Sequence, residues 1–260
     1  MQSASGIAVE ESGQGIVQIR LDRPERLNAL GVDMVDALQR AIADAIARPA
    51  RVLLIRGTGR AFCAGADLKE RQGMEPAART KHNRAINAAV DALGNAPMPT
   101  ICVINGLAMG GGCEIALACD FRYAAQDAQL GLPEIRLGII PGAGGTQRLP
   151  RLIGLAKARD MIFTGRHVGA DEALEIGLVD RTMAPAEAYP VAFEEARKFA
   201  EGPTAAYAAA KRALQASLGG DLAPGLEVER EVFVPLFSTH DQEEGMRAFL
   251  EKREPRFEGR

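Results

Sequence analysis

A glycine-rich turn between a predicted strand and a predicted helix is the feature that most constrains this fold. The apolar run 100–104 is typical of a strand, and three glycines at 110–112 follow it, which removes side chains where the backbone turns. We predict a helix over 113–119 that begins at or near Gly112, and its first amides have no partner within the helix. Those amides and the helix dipole favour a negative charge at the turn.

Two glutamates stand alone in apolar surroundings. The predicted helix is apolar on every side except at Glu114, which indicates burial, and burial of a lone carboxylate is costly and raises its pKa. Glu134 is the only acid among the apolar and turn residues of 130–135. Such a pair suits general acid and base catalysis. The alternative is a surface glutamate, or a structural partner of an arginine such as Arg136 or Arg148.

A second source of free amides is the loop after the predicted strand at 51–56. Its residues Ala64, Gly65 and Ala66 leave the backbone open, at a place where α/β proteins often carry sites. Amides from two separate loops, directed at one oxygen, would form an oxyanion hole, in which each donor lowers a barrier by about 3–4 kcal/mol. The alternative is a tight turn without a ligand, and the spacing alone does not choose between them.

Strands and helices alternate along the rest of the N-terminal part. Strands are predicted at 7–11 and 16–21 as a hairpin, and again at 121–124, with helices at 32–47, which Pro49 ends, and 76–93. This alternation with short turns favours an α/β fold built from ββα or βα units. We find no sequence repeat of fixed period.

Beyond Gly154 the chain is mostly helical. Helices are predicted at 185–200, 203–218, 223–236 and 241–252. We place a boundary near Gly202, between an α/β core at 1–202 and a helical C-terminal region at 203–260. The apolar cluster at 232–237 in the second part is either a core face or an oligomer interface.

Composition argues against several classes of function. The net charge is −3, Trp is absent and there are three Tyr, which argues against nucleic-acid binding. The basic residues of 79–84 are better explained as a solvated helix face. No run is long enough to cross a membrane, and the first 16 residues do not have the pattern of a signal peptide. The four cysteines form no Cys-x-x-Cys pair, so we expect reduced thiols and a cytoplasmic protein.

The remaining motifs are weak. The three histidines, His82, His167 and His240, lack metal-ligand spacing and are expected to be surface or capping residues, so no metal site is predicted. No nucleophile elbow and no Walker sequence is present. The glycine-rich run 142–146 precedes a predicted helix. It could hold an anion or a water, but it matches a phosphate-binding loop poorly.

Taken together, the motifs resemble the enoyl-CoA hydratase (crotonase) family. The resemblance rests on the segments 62–69, 105–114, 133–149 and 244–253, in order, and spans essentially the whole chain. It implies an α/β spiral of ββα repeats with a C-terminal helical region that drives trimerisation, often with trimers paired into hexamers.

The resemblance also implies a set of site residues. The amides of Ala66 and Gly111 would form the oxyanion hole for an acyl-CoA thioester, Glu114 and Glu134 would hydrate a trans-2-enoyl-CoA, and Gly142 would help position the water. No cofactor is expected, because coenzyme A is part of the substrate. The implied CoA contacts are Arg26, Leu27, Ala64, Asp67, Leu68 and Lys69, with Phe249 and Lys252 from the C-terminal helix, which a neighbouring subunit could supply.

Three alternatives stay open at this point. Relatives with one acid are often Δ3-Δ2-enoyl-CoA isomerases. The run 66–71 and the ending 257–260 also resemble methylglutaconyl-CoA hydratases, some of which bind RNA, and the acyl pocket that would decide the substrate is expected at 71–87. A CoA- or RNA-binding scaffold without catalysis should tolerate loss of both glutamates and bind RNA in a salt-sensitive way.

Overall fold

Two β-sheets form the centre of the molecule in a computed structural model that describes residues 5–48 and 50–260. The larger sheet contains, in spatial order, β1 (Ile7–Ser12), β2 (Ile16–Leu21), β3 (Val52–Gly57), β5 (Thr100–Ile104), β7 (Phe121–Ala125) and β10 (Arg181–Met183). The smaller sheet contains β4 (Ala61–Cys63), β6 (Leu107–Met109), β8 (Gln129–Gly131) and β9 (His167–Gly169).

The strands alternate between the two sheets along the chain. The consecutive pairs β3 and β4, β5 and β6, and β7 and β8 each place the first strand in the larger sheet and the second in the smaller one. In the larger sheet, β5 pairs in parallel with β3 and β7; in the smaller sheet, β6 pairs in parallel with β4 and β8. The strands β1 and β2 form an antiparallel hairpin. Each turn of chain therefore repeats the last at a new level, and the predicted α/β spiral is confirmed.

Helices follow or connect these strands. They are α1 (Val32–Ala47), α2 (Leu68–Gln72), α3 (Pro76–Gly94), α4 (Gly111–Ala118), α5 (Gly145–Ile153), α6 (Leu155–Thr164), α7 (Ala170–Glu175), α8 (Ala188–Glu201), α9 (Thr204–Ser217), α10 (Leu222–Phe233) and α11 (His240–Glu251). Short 3-10 helices cover Pro24–Arg26, Pro133–Leu137 and Val234–Ser238. Pro49, predicted to end α1, lies outside the described residues.

The core has a layer on each face of the larger sheet. On one face, α1, α3 and α4 pack with the apolar residues of both sheets into the main cluster. On the other face, α8 presents alanines at intervals of four, Ala188, Ala192, Ala196 and Ala200, all buried. Because alanine is small and this spacing puts all four on one side of the helix, α8 lies close against strands buried on both faces.

The C-terminal helices differ from the core. Neither α9 nor α10 has a buried residue, and Phe233, Val234 and Phe237 are 54%, 63% and 59% exposed. The apolar cluster at 232–237 is therefore not a core face of this chain. The predicted helix 223–236 ends at Phe233, and Pro235, which lacks an amide hydrogen, lies in the 3-10 turn that follows.

Among the described residues, no helix is both long enough and apolar enough to cross a membrane.

Candidate active site

Helix α4 begins at the glycine turn, one residue earlier than predicted. Gly110, just before it, has φ +51°, a region that favours glycine. A Cβ on Gly112 would lie 2.2 Å from the carbonyl oxygen of Cys63, so only glycine lets the helix approach the end of β4 so closely. This approach brings the first turn of α4, with Glu114, beside the loop that follows β4.

Glu114 is buried, with 3% of its surface exposed, and backbone amides hold one of its oxygens. Its Oε1 accepts hydrogen bonds from the amides of Ala143 at 2.6 Å and Gly145 at 2.8 Å. Burial raises its pKa, while the two amide bonds and the charges of Arg148 and Arg71 oppose that shift. The sequence left open whether the glycine-rich run 142–146 holds an anion or a water, and in the structure its amides bind a carboxylate of the protein itself.

Helix α3 fixes the loop that holds Glu114. The carbonyl oxygen of Gly142 accepts hydrogen bonds from the side-chain amides of Asn83 at 3.3 Å and Asn87 at 2.5 Å. The sequence marked the run 142–146 and the stretch 71–87 as segments, but did not give a role to Asn83, Ala143 or Gly145 individually. Each acts only once α3 and the loop meet in space.

Glu134 lies on the short 3-10 helix Pro133–Leu137 and faces the same cavity. Its Oε2 is buried without a hydrogen-bond partner in the described part of the chain, and a Cβ on Gly110 would lie 2.9 Å from its Oε1. Burial raises the pKa of Glu134 to about 7, and the negative charge of Glu114 adds to the shift. Glu134 therefore exchanges its proton near neutral pH.

One alternative for the two glutamates is a structural ion pair with an arginine. Across residues 5–48 and 50–260, neither Glu114 nor Glu134 forms an ion pair. Arg148 instead pairs with Asp91 at 2.9 Å and donates to the carbonyl oxygen of Ala143 at 3.0 Å. Neither carboxylate is therefore neutralised by a salt bridge among the described residues, although two backbone amides bind Glu114.

Two backbone amides from separate loops meet beside these carboxylates. The residues Gly65 and Ala66 pack against the glycine turn so closely that a Cβ on Gly65 would lie 3.3 Å from the nitrogen of Gly111. The next amide along the loop is already bonded: the backbone N–H of Asp67 donates to the carbonyl oxygen of Leu30 at 3.0 Å. In the described chain, however, the amides of Ala66 and Gly111 donate to no protein acceptor.

One cavity brings most of the predicted site together. Its lining includes Ala64, Ala66, Leu68, Gly111, Glu114, Glu134 and Gly142. Its walls are otherwise mostly apolar, from Ile86, Met109, Leu137, Ile139 and Ile140. A cavity that is mostly apolar, with a few converging polar groups, is the usual form of a small-molecule site.

The predicted coenzyme A residues fall into three groups, of which Ala64 and Leu68 line the cavity of the two glutamates. Arg26 and Lys69 line a neighbouring cleft, together with Arg23, which sequence reasoning did not identify. The side chain of Asp67 is buried: it caps α2 through the amide of Glu70 and lies 3.5 Å from Arg26. Leu27 has a left-handed backbone with φ +52°, next to these cations.

The remaining predicted contacts lie elsewhere. Phe249 is 83% exposed on α11, and Lys252 ends that helix. Neither lines the cavity of the two glutamates or the cleft of Arg26. This chain alone does not bring them to the site.

The expectation for His82 is wrong. Its side chain is only 4% exposed, and its Nδ1 accepts a hydrogen bond from Nε of Arg71 at 3.2 Å, so the ring is neutral. Burial lowers its pKa, and the charge of Arg71 lowers it further. The pattern of surface residues on α3 could not show this, because the partner is on α2.

The other histidines and the cysteines line neither the cavity of the two glutamates nor the cleft of Arg26. His167 is exposed, and His240 is the first residue of α11. Within the described ranges, no group of three or more histidine, cysteine or acidic residues could hold a metal ion. All four cysteines are free and buried, and burial raises the pKa of the Cys63 thiol to about 12, which makes it unreactive.

The spiral of parallel strands, with two carboxylates and two free amides in one cavity, defines a crotonase-type protein. The solved enoyl-CoA hydratase of Bacillus anthracis has the same fold, with a TM-score of 0.95 at 41% identity over 98% of this chain and 100% of that one. A sequence profile described as enoyl-CoA hydratase/isomerase matches residues 11–260. The chain belongs to the enoyl-CoA hydratase/isomerase family.

Relatives within this family have different named activities. The mitochondrial methylglutaconyl-CoA hydratase of Rattus norvegicus is 41% identical over 258 residues, which covers 96% of this chain and 82% of that protein. An enoyl-CoA isomerase/hydratase of Mycosarcoma maydis is 39% identical over 256 residues, with 95% and 93% covered. The reaction of this chain is therefore a question for its own site.

Proposed function

We propose that this protein is an enoyl-CoA hydratase, which reversibly adds water across the 2,3 double bond of a trans-2-enoyl-CoA to give a 3-hydroxyacyl-CoA. The observation that carries the proposal is that Glu114 and Glu134 share one cavity with the free amides of Ala66 and Gly111. An acid, a base and an oxyanion site are the groups that hydration of a conjugated thioester needs.

The amides act on the thioester. Its carbonyl oxygen accepts hydrogen bonds from Ala66 and Gly111, and negative charge grows on that oxygen when water attacks Cβ. The N-terminus of α4 adds its dipole at the same place. Each preorganised donor of this kind lowers the barrier by about 3–4 kcal/mol.

The two glutamates divide the proton transfers. Glu114, with Oε1 fixed by two amides, accepts a proton from the water through its other oxygen, while the amide of Gly142 helps position that water. The hydroxyl adds to Cβ, and Glu134 gives its proton to Cα. The proton left on Glu114 returns to Glu134 through solvent, which restores both groups. Elimination of water follows the same path in reverse.

Coenzyme A is held as part of the substrate. We assign its contacts to Arg26, Leu27, Ala64, Asp67, Leu68 and Lys69 of one chain. The cations Arg26 and Lys69 suit phosphate oxygens, whereas the buried Asp67 acts by fixing Arg26. We assign Phe249 and Lys252 to the site of a neighbouring chain in a trimer or a hexamer. The chemistry is acid–base only and uses no further cofactor.

The test is hydration of crotonyl-CoA, followed by loss of the absorbance of the conjugated thioester. Glu114→Gln and Glu134→Gln should each lower kcat by at least about 100-fold, since each removes a positioned proton-transfer group. Glu175→Gln, an exposed glutamate at the end of α7, is the matched control and should keep full activity.

Two results would contradict the proposal. Folded wild-type protein that shifts a 3-enoyl-CoA double bond but hydrates no 2-enoyl-CoA is an isomerase, and Glu114→Gln should then keep that activity. Full hydration by both glutamine variants would mean that these carboxylates do not carry the chemistry.

A further inference from the structure

The cavity of the two glutamates continues outward into a wider groove that carries positive charge. The groove shares Leu68, Arg71 and Asn83 with the inner cavity and adds Arg79 and Arg84 from α3. No acidic side chain lines this outer groove in the described part of the chain. Glu114 and Glu134 line only the inner cavity, Arg71 lines both spaces, and Arg79 and Arg84 line only the outer groove.

Arg71 is held in place but keeps its terminal nitrogens free. Its Nε donates to the buried His82 at 3.2 Å, which fixes the plane of the guanidinium group. Within the described residues its two terminal nitrogens bond to no protein acceptor, and Arg79 and Arg84 have no acidic partner. Other arginines of the chain do pair with carboxylates, as Arg166 does with Glu172 at 2.6 Å.

The electrostatics of Arg71 agree with a missing counter-charge. Burial lowers its pKa, and the positive charge of Arg79 lowers it further, so the two cations destabilise each other. Glu114 attracts Arg71, but its Oε1 is already bonded to two amides. A carboxylate placed in the outer groove would relieve this repulsion, and an arginine fork binds a carboxylate through two parallel bonds.

The residues that line both the inner cavity and the outer groove are mostly apolar. Leu137, Ile139 and Ile140 line both the inner cavity and the outer groove, and they are 56%, 49% and 64% exposed. Exposed branched side chains in one patch mark a place where apolar atoms bind. A chain of carbon atoms along these walls, with a negative group at its end, would satisfy both parts of the surface.

We propose that the outer groove binds a carboxylate at the far end of the acyl chain, with Arg71 as its main contact, so that the preferred substrates are thioesters of dicarboxylic enoyl groups. The inference rests on the proposed function, because it places the thioester beside the two glutamates in the inner cavity, with its acyl chain extending from there into the outer groove. It does not depend on which reaction takes place there.

The test measures binding without catalysis. Glutaryl-CoA and pentanoyl-CoA both have five-carbon acyl chains, and only the first ends in a carboxylate; neither has a double bond to hydrate. By calorimetric titration, wild-type protein should bind glutaryl-CoA at least tenfold more tightly, because a charge-assisted bond to a held arginine has about this strength. Arg71→Met should remove most of this preference, and Arg71→Lys should keep part of it.

Matched variants separate a bound carboxylate from general charge attraction. Arg79→Met and Arg84→Met should each reduce the preference less than Arg71→Met does. Lys81→Met is the control, since Lys81 is exposed on the same helix and lines neither the cavity nor the groove. Its preference should equal that of the wild type.

The outcomes for the two proposals can be told apart. Equal or tighter binding of pentanoyl-CoA by wild-type protein overturns the carboxylate site and leaves hydration of crotonyl-CoA unaffected. A preference for glutaryl-CoA that Arg71→Met and Lys81→Met reduce equally also overturns it. A preference that depends on Arg71, in a protein that hydrates nothing, would support the carboxylate site and contradict the proposed hydratase.

Discussion

At the scale of single residues, Glu134 sets the expected pH dependence of activity. Its pKa is raised to about 7, and the proposed hydration needs its protonated form to deliver a proton to Cα. The value of kcat/KM for crotonyl-CoA should therefore fall as pH rises above about 7. Stopped-flow or steady-state assays from pH 6 to 9 would show this limb, and a rate that rises through pH 8 would contradict the assignment of Glu134 as the acid.

The same raised pKa predicts an effect on stability. A glutamate ordinarily titrates near 4.5, and Glu134 titrates near 7 in the folded protein, so the folded state keeps a proton that the unfolded state loses. Stability contributed by the protonated group is complete below pH 4.5 and is lost as pH rises to about 7. The Tm of Glu134→Gln relative to wild type should rise between pH 5 and pH 7.5 and then level off.

A control fixes the meaning of that comparison. Any difference in stability between glutamine and a protonated glutamate does not vary with pH, so the change of the Tm difference with pH is the quantity to measure. Glu175→Gln, whose side chain is exposed, should show a difference that does not vary over the same range. A flat difference for Glu134→Gln would contradict the raised pKa.

The sequence identifies some of these residues and not others. Glu114 and Glu134 can be found because each is a lone acid in an apolar segment, and a buried charge is costly wherever the segment folds. Arg71, His82 and Asn87 carry no such local signal. Their roles arise because α3 packs beside α2 and the 142–145 loop, and the 3.6-residue period of a helix does not say what its polar face will meet.

At the scale of elements, the contact between α4 and the start of α5 holds the site in shape. A Cβ on Gly145 would lie 3.0 Å from Oε1 of Glu114 and 2.9 Å from side-chain atoms of Leu132 and Pro141. Gly145→Ala should therefore displace the amides that hold Glu114 and lower kcat for crotonyl-CoA by about tenfold or more, as small misplacements of catalytic groups do.

Gly169→Ala is the matched control for that substitution. Gly169 precedes α7 with φ −76°, and a Cβ there would meet no atom within 4 Å. Its far-UV circular dichroism and activity should equal those of wild type. Wild-type kinetics for Gly145→Ala, in a protein of unchanged fold, would show that the position of Glu114 is not limiting.

Elements of ordinary length are predicted better than short ones. The periodic pattern of α1 places it at the residues where the structure has it, 32–47, and the hairpin of β1 and β2 is also found. The strands β6 and β8 have only three residues each, too few for a period to register. Because these strands build the second sheet, the spiral itself is reached only through the resemblance to a family.

At the scale of the whole molecule, the C-terminal helices leave large apolar side chains exposed. Four large apolar side chains of this region are each more than half exposed: Leu214, Leu222, Phe233 and Phe237. Exposed apolar side chains grouped in this way are typical of a surface that binds another protein. Phe249 and Lys252, assigned to coenzyme A, do not reach the site of their own chain. Both facts are explained if the helices α9 to α11 pack against other copies. The boundary near Gly202 and the cytoplasmic location stay predictions.

If the helices α9 to α11 pack against other copies, the protein should have the mass of an oligomer, and charged substitutions in those helices should dissociate it. In sedimentation analysis, wild-type protein should have three or six times the chain mass of 27.7 kDa. Leu214→Glu and Phe237→Glu should shift it towards single chains, because a charge buried in an interface is costly. Leu174→Glu, on α7 and 43% exposed, is the matched control and should keep the wild-type mass.

Activity should follow assembly if a neighbour completes the site. The dissociated variants should show a raised KM for crotonyl-CoA, since they lose Phe249 and Lys252 from the coenzyme A site, while the glutamates and amides within each chain stay in place. Single chains with an unchanged KM would mean that these two residues do not bind coenzyme A. A wild-type mass of 27.7 kDa would contradict the assembly itself, and the exposed apolar face would then need another partner.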